Sequence, residues 1–222
     1  MSRAPCHEMD ILREAGMQYG IDLSPQQLAT FRRYLDELWD WNRRMNLTGL
    51  TLRERIVIEL FLDSLVPVPF LPDRGSLLDV GSGAGLPGLP FKICKPELKV
   101  HLLEPNAKRV SFLKHVIGLL GMEEIEVIRG RIERDRSLLT PEGYDVVTAR
   151  ALAGLDQIIA WCGPVLRPGG QLIGFLGQQG EGELERHRNG FLKQDLEPVR
   201  TKTYLLPRKD SKRTVVILRK RG

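Results

Sequence analysis

Leu77-Leu78-Asp79-Val80-Gly81-Ser82-Gly83-Ala84-Gly85 constrains this chain more than any other segment. An apolar run carrying one acid leads at once into glycine at every second position. A run of this length suits a strand buried on both faces of a parallel sheet. Gly81, Gly83 and Gly85 let the backbone turn sharply and let a ligand approach where a Cβ would otherwise stand. A helix opening just beyond them would turn its free N–H groups toward that ligand. The segment therefore predicts an adenosine-containing cofactor at the carboxyl end of a first strand.

From Ser76 onward, strands and helices alternate. Strands are predicted at 77–81, 100–104, 125–129, 145–149 and 171–176, with a closing hairpin from segments near 196–206 and 214–219. A helix is predicted over 107–120, capped by Asn106 and ended by Gly121. This is the pattern of an α/β, doubly wound, mostly parallel seven-stranded Rossmann-like sheet. Residues 1–72 read instead as a helical extension to a domain at 73–222. Ser24-Pro25-Gln26-Gln27 is a capping box with proline at the first helical position, followed by Leu28, Phe31, Leu35, Leu38 and Met45 on one face. Thr51-Leu52-Arg53-Glu54 predicts a second capped helix reaching about Leu65. Tyr34, Trp39 and Trp41 fall at spacings that favour the core over base stacking.

The 222 residues are enough for one sizeable core. The most apolar stretch, 56–71, is interrupted by Glu59, Asp63 and prolines, so no membrane span is expected. Cys6, Cys94 and Cys162 lack zinc or disulfide spacing, and a cytoplasmic protein without metal follows as the expectation. The formal charge of +5 is unevenly spread: nine basic residues and one acid from Val199 to the end make that segment +8, leaving the rest at −3. Such a segment is either a nucleic-acid surface or a solvated edge.

Gly83-Ala84-Gly85-Leu86-Pro87-Gly88 satisfies GxGxxG, which admits a dinucleotide. Three features favour S-adenosylmethionine. Asp79 precedes the loop, positioned to meet an amino-acid ammonium through water or a backbone N–H, and would repel a pyrophosphate. Glu104 ends the second strand, positioned to accept both ribose hydroxyls. Arg131-Ile132-Glu133 follows the third strand, where an adenine pocket would lie. Arg150, ending the fourth strand at the ligand-binding edge, suits an orienting role, with an ion pair to Glu133 or Asp145 as the alternative.

The chain resembles the bacterial small-subunit ribosomal RNA guanine-N7 methyltransferases, also called glucose-inhibited division protein B. The likeness rests on Trp41-Asn42-Arg43-Arg44-Met45-Asn46-Leu47-Thr48, Leu62-Asp63-Ser64-Leu65, residues 79–88, Lys108-Arg109-Val110-Ser111-Phe112-Leu113 and Thr148-Ala149-Arg150-Ala151. It implies a class I methyltransferase fold and N7 methylation of a guanine in 16S ribosomal RNA, acting on the RNA or the small subunit. By motif, it implies cofactor contacts at Gly81, Leu86, Glu104, Ile132, Glu133 and Arg150, beside Asp79, Gly83 and Gly85 from the loop itself. Two positions depart from the family pattern: Glu59-Leu60 replace a basic residue and a histidine, and Leu176 replaces a lysine. RNA contact is therefore assigned to Arg43, Arg44, Asn46, Lys108 and Arg109, with Arg208, Lys209, Lys212 and Arg213 from the C-terminal cluster.

Guanine N7 offers an in-plane lone pair at neutral pH, so no general base is nominated and alignment carries the catalysis. Residues 151–153 supply neither the cysteine that C5 methylation needs nor an Asn/Asp-Pro-Pro-aromatic motif. His7, His101, His115 and His187 form no acid–base or metal set. A small-molecule methyltransferase and a non-catalytic binding relative remain as alternatives. Nothing in the chain demands a dimer, and a monomer is expected.

Overall fold

The structure, a computed structural model, describes residues 7–135, 140–150, 154–177, 182, 186, 191, 193–210 and 212–222. Helices α1 (His7–Gln18) and α2 (Pro25–Met45) lead into a continuous helical segment. It runs through α3 (Arg53–Ile56), a π-helical stretch (Val57–Leu62) and α4 (Asp63–Leu65). Then follow β1 (Gly75–Val80), α5 (Gly88–Cys94), β2 (Leu98–Leu103), α6 (Ala107–Leu120) and β3 (Ile125–Ile128). The chain continues with β4 (Tyr144–Arg150), α7 (Leu155–Cys162), β5 (Leu166–Leu176), β6 (Leu196–Leu205) and β7 (Lys212–Lys220).

The seven strands lie in the order β3-β2-β1-β4-β5-β7-β6. Strands β1 to β5 are mutually parallel, and β7 runs antiparallel to both β5 and β6. Strand order reverses between β1 and β4, which opens a crevice at their carboxyl ends. The apolar runs divide by the period of two. Leu77, Val100, Val146, Ile173 and Ile217 join one core, and Leu78, Leu103, Val147, Leu172 and Leu218 join the other.

The N-terminal helices share the first of those cores. Phe31, Tyr34, Leu35 and Leu38 of α2 are buried there with Ile56, Phe61, Leu62 and Leu65. At roughly 1.5–3 kcal/mol for each large apolar side chain, this burial fixes the extension against the sheet. The first capping box forms as expected: Gln27 N–H donates to Ser24 Oγ at 3.2 Å, and Ser24 N–H to Gln27 Oε1 at 2.9 Å. The second does not. Leu52 occupies the N-cap without a side-chain bond, and the helix that follows is π-wound over Val57–Leu62. The aromatics belong to the packing: Tyr34 is fully buried, and Trp41 lies against Phe112 of α6 with ring centroids 5.5 Å apart.

Candidate active site

The glycine loop is built by backbone hydrogen bonds around the end of β1. Gly81 and Ser82 N–H both donate to Leu103 O, at 2.8 and 3.1 Å. Gly81 and Gly83 adopt φ of 72° and 58°, in the left-handed region. A Cβ on Gly83 would meet nothing nearer than Gly81 O at 3.9 Å, so this part of the loop is open to a ligand. Gly85 has a different task. A Cβ there would run into Leu89, so this glycine lets α5 pack beneath the loop. Likewise Gly88 has room only for hydrogen, because a Cβ would collide with Leu102 and come within 2.8 Å of Asp79 Oδ2.

Asp79 also sits behind the loop rather than in the cleft. It is fully buried, and its Oδ2 accepts from Gly88 N–H at 2.9 Å. Ser82 Oγ donates to Asp79 O at 2.9 Å. The other carboxylate oxygen, Oδ1, has no partner among the described residues. Desolvation pushes this carboxyl up to about 7, against the pull of the Gly88 N–H. Asp79 is thus a loop anchor, tied to the first residue of α5.

Glu104, itself only 2% exposed, takes the corresponding role on the cleft side of the loop. Its Oε2 accepts from Gly83 N–H at 2.9 Å and its Oε1 from Asn106 N–H at 2.8 Å. One carboxylate therefore ties the glycine loop to the start of α6, and each oxygen keeps a free lone pair. Asn106 caps α6 by accepting from Lys108 N–H at 2.9 Å. Ile132 and Glu133 follow β3, one strand beyond Glu104, with Ile132 buried and Glu133 exposed. Neither lines the cleft itself.

The cleft has a volume of about 300 Å³, at the lower end for a small-molecule pocket. The loop residues Gly81, Ser82 and Gly83, with Glu104, Pro105 and Arg109, line it on the sheet side. Leu47, Thr48, Leu60 and Arg150 line it toward the helices, and sequence reasoning had not nominated the first three as site residues. A larger groove of about 940 Å³ runs past Ser24, Lys92 and Met122, away from the glycine loop, and contains none of these groups.

Arg150 is held in the wall by the π-helical stretch and α4. Its Nη1 donates to Leu60 O at 3.2 Å and Ser64 Oγ at 3.0 Å, and its Nη2 to Glu59 O at 2.6 Å. Nη2 also lies 3.0 Å from Asp63 Oδ2. Its carboxylate partner is therefore Asp63, neither Glu133 nor Asp145; Asp145 is engaged with Ser76 and Arg167. A π-helical stretch shifts the i→i−4 ladder, leaving carbonyls to find other partners. Asp63 is only 2% exposed and is shared: Arg213 Nη1 lies 2.9 Å from Oδ2, and Tyr204 O–H donates to Oδ1 at 2.7 Å.

The C-terminal basic cluster is spent on this wall. Arg208 pairs with Glu54, Lys209 lies 2.9 Å from Glu59 Oε1, and Arg213 joins Asp63. These three, expected as RNA contacts, are ion-paired with acids from over a hundred residues earlier. Lys212 stays exposed. Arg43, Arg44, Asn46 and Lys108 are exposed, close in sequence to the cleft residues Leu47 and Arg109. Packing of α2 on α6, through Trp41 and the 2.7 Å contact of Glu37 Oε2 with His115 Nε2, brings these groups together.

Other titratable groups have structural places. His101 Nδ1 meets Tyr144 O–H at 2.6 Å, and burial pushes the Cys94 thiol up to about 12, far from a thiolate at neutral pH. His187 and Cys6 lie outside the described residues. Among the described residues no cluster of three or more His, Cys, Asp or Glu side chains is placed to hold a metal. No described helix is long and apolar enough to cross a membrane.

The strand order, the glycine loop after β1 and the acid after β2 define a class I S-adenosylmethionine-dependent methyltransferase. The fold is similar to that of ribosomal protein L11 methylase from Lactobacillus delbrueckii subsp. bulgaricus, with a TM-score of 0.56 and 16% identity over 73% of this chain and 79% of that one. It is similar also to M. jannaschii TYW2 in complex with AdoMet, with a TM-score of 0.57 and 13% identity over 71% and 73% of the two chains. Sequence comparison is narrower. The GidB family, described as rRNA small subunit methyltransferase G, matches residues 27–212. Ribosomal RNA small subunit methyltransferase G of Roseiflexus sp. is 40% identical over 198 residues, covering 86% of this chain and 85% of that protein. The protein of the same name from Geobacillus thermodenitrificans is 36% identical over 204 residues, covering 90% and 86%. The chain belongs to the rRNA small subunit methyltransferase G family.

Proposed function

We propose that this chain transfers the methyl group of S-adenosylmethionine to N7 of a guanine in 16S ribosomal RNA. The observation that carries the reading is one cleft in which an open glycine turn and a two-oxygen acceptor, Glu104, face a wall built from the helical extension and Arg150. The residues fit the donor: Gly83 leaves its backbone bare to a ligand, and Glu104 keeps lone pairs for vicinal hydroxyls. Gly81, Gly83, Leu86 and Glu104 hold it, and Ile132 and Glu133 flank its base from the end of β3. Asp79 and Gly85 support the loop from behind.

When bound, S-adenosylmethionine supplies an electrophilic methyl group on a sulfonium sulfur. The protein's own part is to bind, align and exclude water, since guanine N7 needs no proton removed first. Arg150 adds a fixed positive charge to the wall. Arg43, Arg44, Asn46, Lys108 and Arg109 take the RNA backbone, and among the described residues none of their side chains is ion-paired with an acid as Arg208, Lys209 and Arg213 are. We infer a monomer that acts on ribosomal RNA in the cytoplasm. Borohydride and aniline cleavage of 16S RNA, with and without the protein, tests the activity. A new scission at one guanine is expected, and an unchanged pattern overturns the reading.

A further inference from the structure

The cleft has two ends of opposite chemistry. At one, the bare backbone of the glycine loop and the remaining lone pairs of Glu104 face the cleft; at the other stand Leu47, Thr48, Leu60 and Arg150. Building on the activity above, we propose that the second end is the subsite of the acceptor guanine, a flipped-out base held between Leu47 and Leu60 and beside Arg150.

A base taken out of its stack needs an apolar slot for its faces and a few polar groups along its edge. Leu47 and Leu60 supply the first, from two separate segments of the extension. Both are held in place. Asn42 Nδ2 donates to Leu50 O at 2.7 Å, and Asn42 Oδ1 accepts from Thr48 N–H at 2.8 Å, so one side chain staples the loop carrying Leu47 and Thr48. Leu60 lies within the π-helical stretch, its carbonyl bound by Arg150 Nη1 and, at 2.6 Å, by Ser64 Oγ.

The state of Arg150 argues for this particular base chemistry. An arginine that reads guanine commonly bonds O6 and N7 together with two parallel N–H groups. That contact would occupy the lone pair that must attack. Here Nη1 is committed to Leu60 O and Ser64 Oγ, and Nη2 to Glu59 O and Asp63. The Nη1/Nη2 fork is therefore closed, and the guanidinium stands beside the slot as a charge that leaves N7 uncovered. Asp63, Ser64 and the π-helical carbonyls are the positioning groups that keep it so. Leu60 is also where the family pattern places a histidine, so this chain bounds the slot with an apolar surface alone.

Two substitutions of the half-buried Leu60 test the assignment. Leu60→Trp fills the slot, and Leu60→Ala widens it. Cofactor affinity is read by calorimetry with S-adenosylmethionine, and methylation by tritium transfer to 16S RNA, with kcat and KM separated. The tryptophan variant is expected to lose at least tenfold in kcat/KM for RNA, and the alanine variant to raise KM for RNA severalfold. Both should hold cofactor affinity within twofold. Loss of cofactor affinity in step with methylation in the alanine variant overturns the assignment, because Leu60 would then belong to the donor end. Unchanged RNA kinetics in both variants overturn it as well. A wild-type protein that leaves 16S RNA unlabelled overturns instead the activity on which the subsite rests.

Discussion

The two walls of the cleft are built from different materials. On the sheet wall the work falls to the backbone: left-handed glycines, N–H donors and two carboxylates, Asp79 and Glu104, that accept from main-chain groups. On the helical wall it falls to charged side chains: Asp63 with Arg150, Arg213 and Tyr204, and Glu59 with Arg55 and Lys209. A backbone wall depends on local sequence, because a turn needs particular residues at adjacent positions. A wall of ion pairs depends on distant partners, and its buried carboxylate is costly to strand alone. The first should therefore fail through shape and the second through unpaired charge.

The largest effect is expected on the helical wall. Asp63→Asn removes the buried carboxylate that the half-buried guanidinium groups of Arg150 and Arg213 share, and should cost about 3 kcal/mol of stability, at the lower end of the range for breaking a buried pair. Urea unfolding would show it as a lowered midpoint at unchanged slope. A loss below ~1 kcal/mol would mean that the wall is no more than a surface ion pair. On the sheet wall, Gly83→Val meets no clash but cannot easily hold φ at 58°. Cofactor affinity should fall by about 100-fold, or roughly 2.7 kcal/mol, while far-UV circular dichroism stays close to the parent. Retained affinity would remove the loop from the site.

Asp79 separates the walls by pH. Its folded-state carboxyl, pushed up to about 7 by burial, lies above the unfolded value of 3.8, so the folded state holds the proton more tightly. The stability this contributes is fully present below about pH 4 and is lost as pH rises toward 7, at no more than about 1.4 kcal/mol per pH unit. Asp79→Asn, which keeps an acceptor for Gly88 N–H, should flatten that slope. Denaturant midpoints from pH 4.5 to 7.5 would check it, and identical slopes in both proteins would place Asp79 in a wetter setting.

The smallest effects compare basic residues by wall. Glutamate at Arg43, Arg44 and Lys108 together should reduce the salt slope of RNA binding by roughly 2, at ~0.7 per phosphate contact on single strands. Glutamine at Arg208 and Lys209 should leave RNA binding near the parent value and lower stability by less than about 1 kcal/mol, since Arg208 is well exposed. Filter binding over a salt series would separate the two sets. Equal slopes for both would erase the distinction between them.

Much of the sheet wall was legible in the sequence because its signals are local. The run of residues 77–85 specified strand and turn, and Asn106 and Gly121 bounded α6 where the structure has it. Glu104 was placed correctly at the end of β2. What the spacing left open is direction: Asp79 and Gly85 pack against α5, and no residue spacing records which side a helix will cover. On the helical wall, the tail's nine basic residues looked nearly unopposed along the chain. In space, Glu54, Glu59 and Asp63 pair with three of them.

The sequence by itself determined the elements, the glycine turn and the family, since strand periodicity, turn geometry and helix caps are set by neighbours a few residues apart. Only the tertiary structure decided which charges are free. Coulomb attraction and desolvation depend on distance through space, and the pairing of Asp63 with Arg150 and Arg213 exists only once β4 and β7 are packed against the helical extension.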